Sequence, residues 1–384
     1  MKIAFVSVFD PQDVRRGSGT FYHLCRELES QGHIVHYVGP LPVQDEPLVP
    51  RFLRWLTKSV LHGRYITYLD PFIACKRGRM ASRLLENIDI DIILTSDYGI
   101  AYGMATSHPV VIYTDAMLPV NYQRGEEDLH SMIAGIPSLI VPVFQFTIRR
   151  ALERCALCIF PAEWQKRDAL AYGVSTDKLR VIPFGANIID PGSDMVKHRA
   201  LLDEEGALHL LFVGKYWDRK GGDVAVKAAQ ILNDNGILTI LHVVGVTLQD
   251  MPPFVKSYGL LNKDNAEENT ILEKLHQTCR LLIFPSRSEG SAIAPREAAA
   301  YGIPTLAYRI PGLATSVIDG ESGLLLPPGD TAEGFARAVR QLLEYPAEYE
   351  RLSRGARTFY ERSANWQTAG SQLVNEMLSL VVSR

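Results

Sequence analysis

The sequence is poor in several features whose abundance would decide its class at once. Five cysteines in 384 residues are too few and too scattered for a disulfide framework, so a buried core must stabilise a chain suited to a reducing compartment. Cys155 and Cys158 form a lone Cys-x-x-Cys, with no second pair or histidine cluster to complete a zinc site, and read as two packed thiols. Charge of one sign is also lacking. With 40 Lys plus Arg against 43 Asp plus Glu, net -3, there is no basic excess to neutralise phosphates, and nucleic acid is not an expected partner. No apolar run reaches the ~20 residues of a membrane span; the longest, Ile136 to Ile148, is broken by Pro137 and Pro142. The opening MKIAFVSVFD carries one lysine and no small-residue cleavage site, so it reads as a strand rather than a signal peptide, and a cytoplasmic protein is expected.

What is present is an α/β pattern, met twice. The length favours two domains of roughly 150 to 200 residues each. Lys2 to Val8 reads as a strand, Gly17 to Gly19 as a loop, Thr20 to Gln31 as a helix stopped by Gly32, and Ile34 to Gly39 as a strand. Further short apolar strands are expected at Ile90 to Leu94, Val110 to Tyr113, Cys155 to Phe160 and Leu179 to Ile182. A linker rich in Pro, Gly, Asp and Asn spans Pro183 to Lys197. The pattern then restarts, with strands at Leu208 to Gly214, Leu238 to Gly245, Arg280 to Phe284, Pro304 to Tyr308 and Gly323 to Pro327, and helices such as Asp223 to Asn233 and Thr331 to Leu343. Short continuous apolar strands alternating with helices imply parallel sheets covered on both faces. The expected architecture is two Rossmann-like, doubly wound domains facing an interdomain cleft. Such sheets bind ligands beyond the carboxyl ends of their strands.

Three stretches carry chemistry. In SRSEGSAIAPREAAAYGIP, Ser286 to Pro304, a strand hands over to a helix in which Pro295 suits the first position and Gly302 the stop. Glu297 then lies in the first helical turn and Glu289 in the loop before it. The amides from about Ala292 to Glu297 form a candidate phosphate cradle. Alternatively, Glu297 complements its own helix dipole and Glu289 is solvated. In FVGKYWDRKGGD, Phe212 to Asp223, Lys215 and Lys220 bracket a turn at the end of a strand, either neutralising a diphosphate or merely solvated; the spacing is not that of a Walker loop. The third stretch, RRGSGTF, Arg15 to Phe21, is glycine-rich but lacks the third glycine and downstream acid of a dinucleotide fingerprint.

Together with VIDGESGLLLPPGD, Val317 to Asp330, these stretches resemble the retaining glycosyltransferases of family four, which have the GT-B fold. SANWQTAGSQLV, Ser363 to Val374, is similar to that family's terminal segment, where the chain crosses back to the N-terminal domain. The resemblance spans most of the chain, densest in the C-terminal half and thin between Leu41 and Asn87. It implies an acceptor-side domain over 1–187 completed by a helix at 364–384, and a donor domain over 188–363. It further implies that Glu297 holds ribose hydroxyls, Glu289 contacts the donor sugar, and Lys215 and Lys220 clamp the diphosphate beside Gly214. Gly17 and Gly19 would approach the phosphates, and backbone N–H groups of Ser291, Ala292, Ile293 and Ala294 would bind sugar and phosphate oxygens. The donor substrate would be a UDP- or GDP-linked sugar, with no permanently bound cofactor and no metal.

There are departures from the family. Lys215 stands where arginine is common, keeping the charge but losing the bidentate fork. Ser291 and Ala292 follow Glu289 where the family has an aromatic residue and a glycine or proline. Asp115 stands in the neighbourhood of the family's histidine, as a catalytic group or a plain strand-end acid. Cations, amides and carboxylates can stabilise a leaving diphosphate and an oxocarbenium-like sugar without an enzymic nucleophile. The acid pair Asp89 and Asp91 resembles the metal pair of the other main glycosyltransferase fold but reads as a turn.

On the acceptor side, Arg51, Arg54, Lys58, Arg64, Lys76, Arg77, Arg79 and Arg83 interleave with Phe52, Leu53, Trp55, Leu56 and Leu61. The Arg51–Lys58 region either rests on an anionic membrane or is a solvated basic face over packed core; alternatively, the same positive surface attracts an anionic soluble acceptor. The tract Met117 to Thr147, with Tyr122, Arg124, Glu126, Glu127, His130 and a run of apolar residues, is expected to border the acceptor cleft. The rival functions are a sugar-nucleotide epimerase or glycan phosphorylase on the same fold, and a decayed sugar-nucleotide-binding protein.

Overall fold

The structure, a computed structural model, describes residues 1–120, 135–196 and 200–382. Tyr122, Arg124, Glu126, Glu127 and His130 lie outside the described residues. The chain forms two compact units: Met1–Pro183 with Trp366–Arg384, and Phe184–Asn365.

The first unit is built on a six-stranded parallel sheet of β1 (Lys2–Val6), β2 (Ile34–Val38), β3 (Ile92–Thr95), β4 (Val110–Tyr113), β5 (Leu157–Phe160) and β6 (Leu179–Val181), in the order β2-β1-β3-β4-β5-β6. In β3, β4 and β5 every residue is buried, because helices cover both faces of the sheet, and that is why these strands read as unbroken apolar runs. The helix Trp366–Val382 packs on the helix Thr20–Ser30; Gln31 Nε2 donates to Ser371 Oγ at 3.3 Å, and Arg180 pairs with Glu376 at 2.9 Å.

The second unit repeats the plan with β7 (Leu208–Val213), β8 (Thr239–Val244), β9 (Val255–Ser257), β10 (Leu281–Phe284), β11 (Thr305–Tyr308) and β12 (Gly323–Leu326), in the order β12-β11-β10-β7-β8-β9. β9 is the strand that the sequence pattern did not announce. It is three residues long at the sheet edge, and Lys256 and Ser257 are exposed, so no apolar run marks it. Both sheets are parallel throughout, in the GT-B arrangement of two doubly wound α/β units.

Each sheet reverses its build direction once, between β1 and β3 in the first unit and between β7 and β10 in the second. At such a switch point the loops leaving the two strands diverge to opposite faces and open a crevice at the carboxyl end. The second unit's two loops there carry Lys215 to Lys220 and Ser286 to Ala294; the first unit's carry Gly17 to Gly19 and Asp97. At the opposite end of the first sheet, Asp89 pairs with Lys2, and Asp91 Oδ2 accepts from the Lys2 backbone N–H at 2.7 Å, so this acid pair fastens a strand start. No helix among the described residues is long and apolar enough to cross a membrane.

Candidate functional site

In the second unit, β7 ends at Gly214, and a one-turn helix, Trp217–Lys220, carries the chain over the strand end. A Cβ on Gly214 would lie 2.9 Å from Lys220 Cβ and Cγ, so the bare glycine lets the lysine fold back across it. Gly221 follows with φ +73, and a Cβ there would sit 2.2 Å from the Pro285 carbonyl oxygen. Only glycine meets both the left-handed backbone and this close approach, which seats the lysine turn against the end of β10.

Glu289 lies in the loop after β10, its side chain 8% exposed. Its Oε1 accepts from Lys220 Nζ and from Ser286 Oγ at 2.6 Å, while Arg219 Nη1 stands 3.4 Å away and donates to the Ser288 carbonyl at 2.5 Å. Lys220 also lies over the Phe284 ring, 4.7 Å from its centroid. Burial pulls the Lys220 ammonium below its ordinary value, Glu289 opposes that fall, and the neighbouring Arg219 adds to it. Lys215, by contrast, is exposed and makes no ion pair among the described residues.

The helix after this loop is Ala294–Ala300, so Pro295 takes its second position rather than its first. Glu297 is in the first turn and buried. Of the expected backbone cradle, the N–H groups of Arg296 and Glu297 are already spent on Ile293 O at 2.9 and 3.0 Å, and that of Ala292 reaches Gly312 O at 3.4 Å. The cradle is therefore smaller than expected, because the short helix consumes its own donors. The N–H groups of Ser291, Ile293 and Ala294 have no partner among the described residues. Gly312 presses on this loop from the side, where a Cβ would come within 2.0 Å of the Glu289 carbonyl oxygen.

Lys263, which the sequence pattern did not single out, is bonded to the Glu297 carboxylate, and its Nζ also donates to Asn187 O at 3.0 Å. Nothing local in the sequence marks it, since 34 positions separate it from Glu297. Upstream of it, Tyr258 ends a hydrogen-bonded chain on the same sheet. His242 Nδ1 is 2.9 Å from Tyr258 Oη, His242 Nε2 is 2.9 Å from His209 Nδ1, and His209 Nε2 is 2.9 Å from Asp203 Oδ2. Burial lowers His242 to about 4, so this chain is built from a neutral imidazole.

In the first unit the glycine-rich loop runs through left-handed conformations at Gly17 (φ 53), Ser18 (φ 58) and Gly19 (φ 81) before the helix Thr20–Ser30. Asp115 is half-buried just beyond β4, after the buried Thr114, and its carbonyl accepts from Gln165 Nε2 at 2.7 Å. Beyond β3 stands an acid not anticipated above. Asp97 Oδ2 accepts from the Val8 N–H at 3.2 Å, and burial raises this carboxyl to about 6 against the opposing influence of that N–H and of Arg77. Arg77 has Nε and Nη1 buried with no hydrogen-bond partner among the described residues. A small crevice is lined by Tyr68, Tyr98, Met117 and Leu118 among others. Among the described residues no group of three or more His, Cys, Asp or Glu side chains is gathered as a metal site.

The family model described as Glycosyltransferase Family 4 matches residues 18–188, and that described as Glycosyl transferases group 1 matches 196–359. A glycogen synthase of Mycobacterium tuberculosis (strain H37Rv) is 31% identical over 97% of this chain and 93% of its own length. The chain belongs to glycosyltransferase family 4. Another member, a D-inositol 3-phosphate glycosyltransferase of Acidothermus cellulolyticus, is 33% identical over 48% of this chain. The match spans about half the length of such curated relatives, 44% in this case. Among solved family folds, sucrose-phosphate synthase from Thermosynechococcus elongatus superposes with TM-score 0.71 at 20% identity, covering 100% of both chains. HepE of Anabaena, solved in complex with UDP and glucose, superposes with TM-score 0.64 at 15% identity, covering 99% of this chain and 100% of its own.

Proposed function

We propose that this family member transfers a sugar, with retention, from a nucleotide-diphosphate sugar to a hydroxyl acceptor. The observation that carries this reading is the arrangement at the second unit's switch point. Lys220 and the free Lys215 stand at the end of β7, Glu289 is fixed at the end of β10, and three open amides follow it. On this reading the lysines hold the diphosphate beside Gly214 and stabilise its charge as it leaves, so the transfer needs no metal. Glu289 contacts the donor sugar, Glu297 holds the ribose, and the N–H groups of Ser291, Ile293 and Ala294 bind sugar and phosphate oxygens. Ala292 shapes the sugar pocket. Gly17 and Gly19 approach the donor phosphates, and Asp115 faces the reacting sugar. The leaving phosphate takes the proton of the acceptor hydroxyl, which is why no strong enzymic base is required. HepE, crystallised with UDP and glucose, supports a nucleotide-sugar donor.

The test is a thermal-shift titration of the whole chain with UDP, GDP, ADP and their glucose and mannose derivatives. A true ligand at a hundred times its Kd adds about 2.7 kcal/mol, a rise of roughly 5–10 °C for a unit of this size. Glu297→Ala should erase the shift. Equal titration of wild type and variant by every nucleotide sugar sinks the proposal.

We also propose that the first unit meets an anionic bilayer at the cytoplasmic face. The helix Leu48–Ser59 leaves Leu48 80%, Phe52 57% and Trp55 56% exposed, at positions i, i+4 and i+7, with the exposed Arg51 and Lys58 beside them. Apolar side chains on one helical stripe flanked by cations suit an acyl–headgroup boundary. Sedimentation with phosphatidylglycerol vesicles should capture the protein and lose it in the pair Phe52→Ser, Trp55→Ser. No capture, or equal capture by phosphatidylcholine and by the variant, removes this part of the proposal.

A further inference from the structure

We propose that Lys263 is a positioning residue for the nucleoside: it holds the Glu297 carboxylate at one oxygen and leaves the other, with one ammonium N–H, for the ribose hydroxyls. The inference rests on the reading of Glu297 as the ribose ligand.

A carboxylate 5% exposed, as the Glu297 side chain is, needs compensation for the water it has lost. Lys263 supplies it at Oε1, and Oε2 has no partner among the described residues. An ammonium has three N–H bonds. One meets Glu297 and a second meets the carbonyl of the fully buried Asn187, which leaves a third beside the free carboxylate oxygen. A vicinal diol presents two O–H donors and two oxygen acceptors. An open carboxylate oxygen next to an open N–H answers both, whereas a carboxylate alone answers only the donors.

The chain around Lys263 is built to hold it still. Asn262 Oδ1 accepts from the Asp264 N–H at 3.1 Å, and the Asn265 N–H donates to Asn262 O at 3.1 Å. Asn265 then caps the helix Ala266–Thr278, accepting from the N–H groups of Glu267 and Glu268 at 2.9 and 3.2 Å. On the other side, the Gly245 N–H donates to Gly259 O at 2.7 Å, and Tyr258 is tied to His242. A lysine loses rotamer freedom when it is fixed. The surrounding backbone anchors restrict the loop, so the side chain alone bears that loss.

The experiment compares the nucleoside diphosphate that binds wild type best among UDP, GDP and ADP with its 2′-deoxy counterpart, by calorimetry, in wild type, Lys263→Met and Lys263→Arg. Wild type should prefer the ribonucleotide by tenfold or more. Lys263→Met should weaken the ribonucleotide about tenfold and leave the deoxynucleotide within about twofold, collapsing the preference. Lys263→Arg should restore part of it. If both nucleotides weaken equally in Lys263→Met and the preference persists, Lys263 merely supports the fold and the inference is overturned. If wild type binds no nucleotide, the functional reading fails as well, and that outcome is distinct from a binding protein whose ribose preference ignores Lys263.

Discussion

At the second unit's switch point each buried carboxylate has its own lysine, Glu289 with Lys220 and Glu297 with Lys263. At the first unit's, Asp97 has no cation within ion-pair distance among the described residues; one backbone N–H holds it, and Arg77 acts on it only through space. The two arrangements differ in what holds the carboxylate. A cation fixes the direction of a paired carboxylate. Without one, loss of water raises a carboxyl, and the half-buried Asp97 is pushed up to about 6. The second unit thus holds its two carboxylates by cations, while the first holds its acid by a backbone N–H alone.

The sharpest way to break the comparison is Lys220→Met. It removes the nearer of the two cations at Glu289, leaving Arg219 at 3.4 Å and Ser286 Oγ at 2.6 Å, and should cost roughly 1–3 kcal/mol of stability. Turnover of the nucleotide sugar should fall by about 10²–10³-fold. A variant with unchanged melting temperature and activity within threefold would mean that the pair does not organise the site. A smaller effect tests the other side. Asp97 has a folded-state value above its unfolded one, so the native state holds the proton more tightly, and stability declines as pH rises from about 4 through about 6. Asp97→Asn removes that penalty while a side-chain oxygen can still accept from Val8. Its melting temperature should match wild type near pH 4 and exceed it by up to roughly 5–10 °C at pH 8. Equal curves across that range would show that burial does not raise the Asp97 carboxyl.

The sequence by itself determined eleven of the twelve strands among the described residues and the local part of the candidate site. Val110 to Tyr113 is a strand because four apolar residues, all of them β-branched or aromatic, are bounded by turn residues, and it spans the same four residues in the fold. The order of glycine, lysines and helix after β7, and of two glutamates around a proline after β10, is local, and so it is legible. Distance in space is not written locally. β9 is too short and too exposed to leave a periodic trace. Lys263 and Glu297 meet only because β8, β9 and the following helix return the chain to the end of β10. Asp97 looks like any strand-end acid until the close approach of β1 and of the helix Pro71–Leu85 removes its water. Residue order sets which charges are available; tertiary packing decides which of them are paired, because pairing depends on burial and on contacts between distant segments.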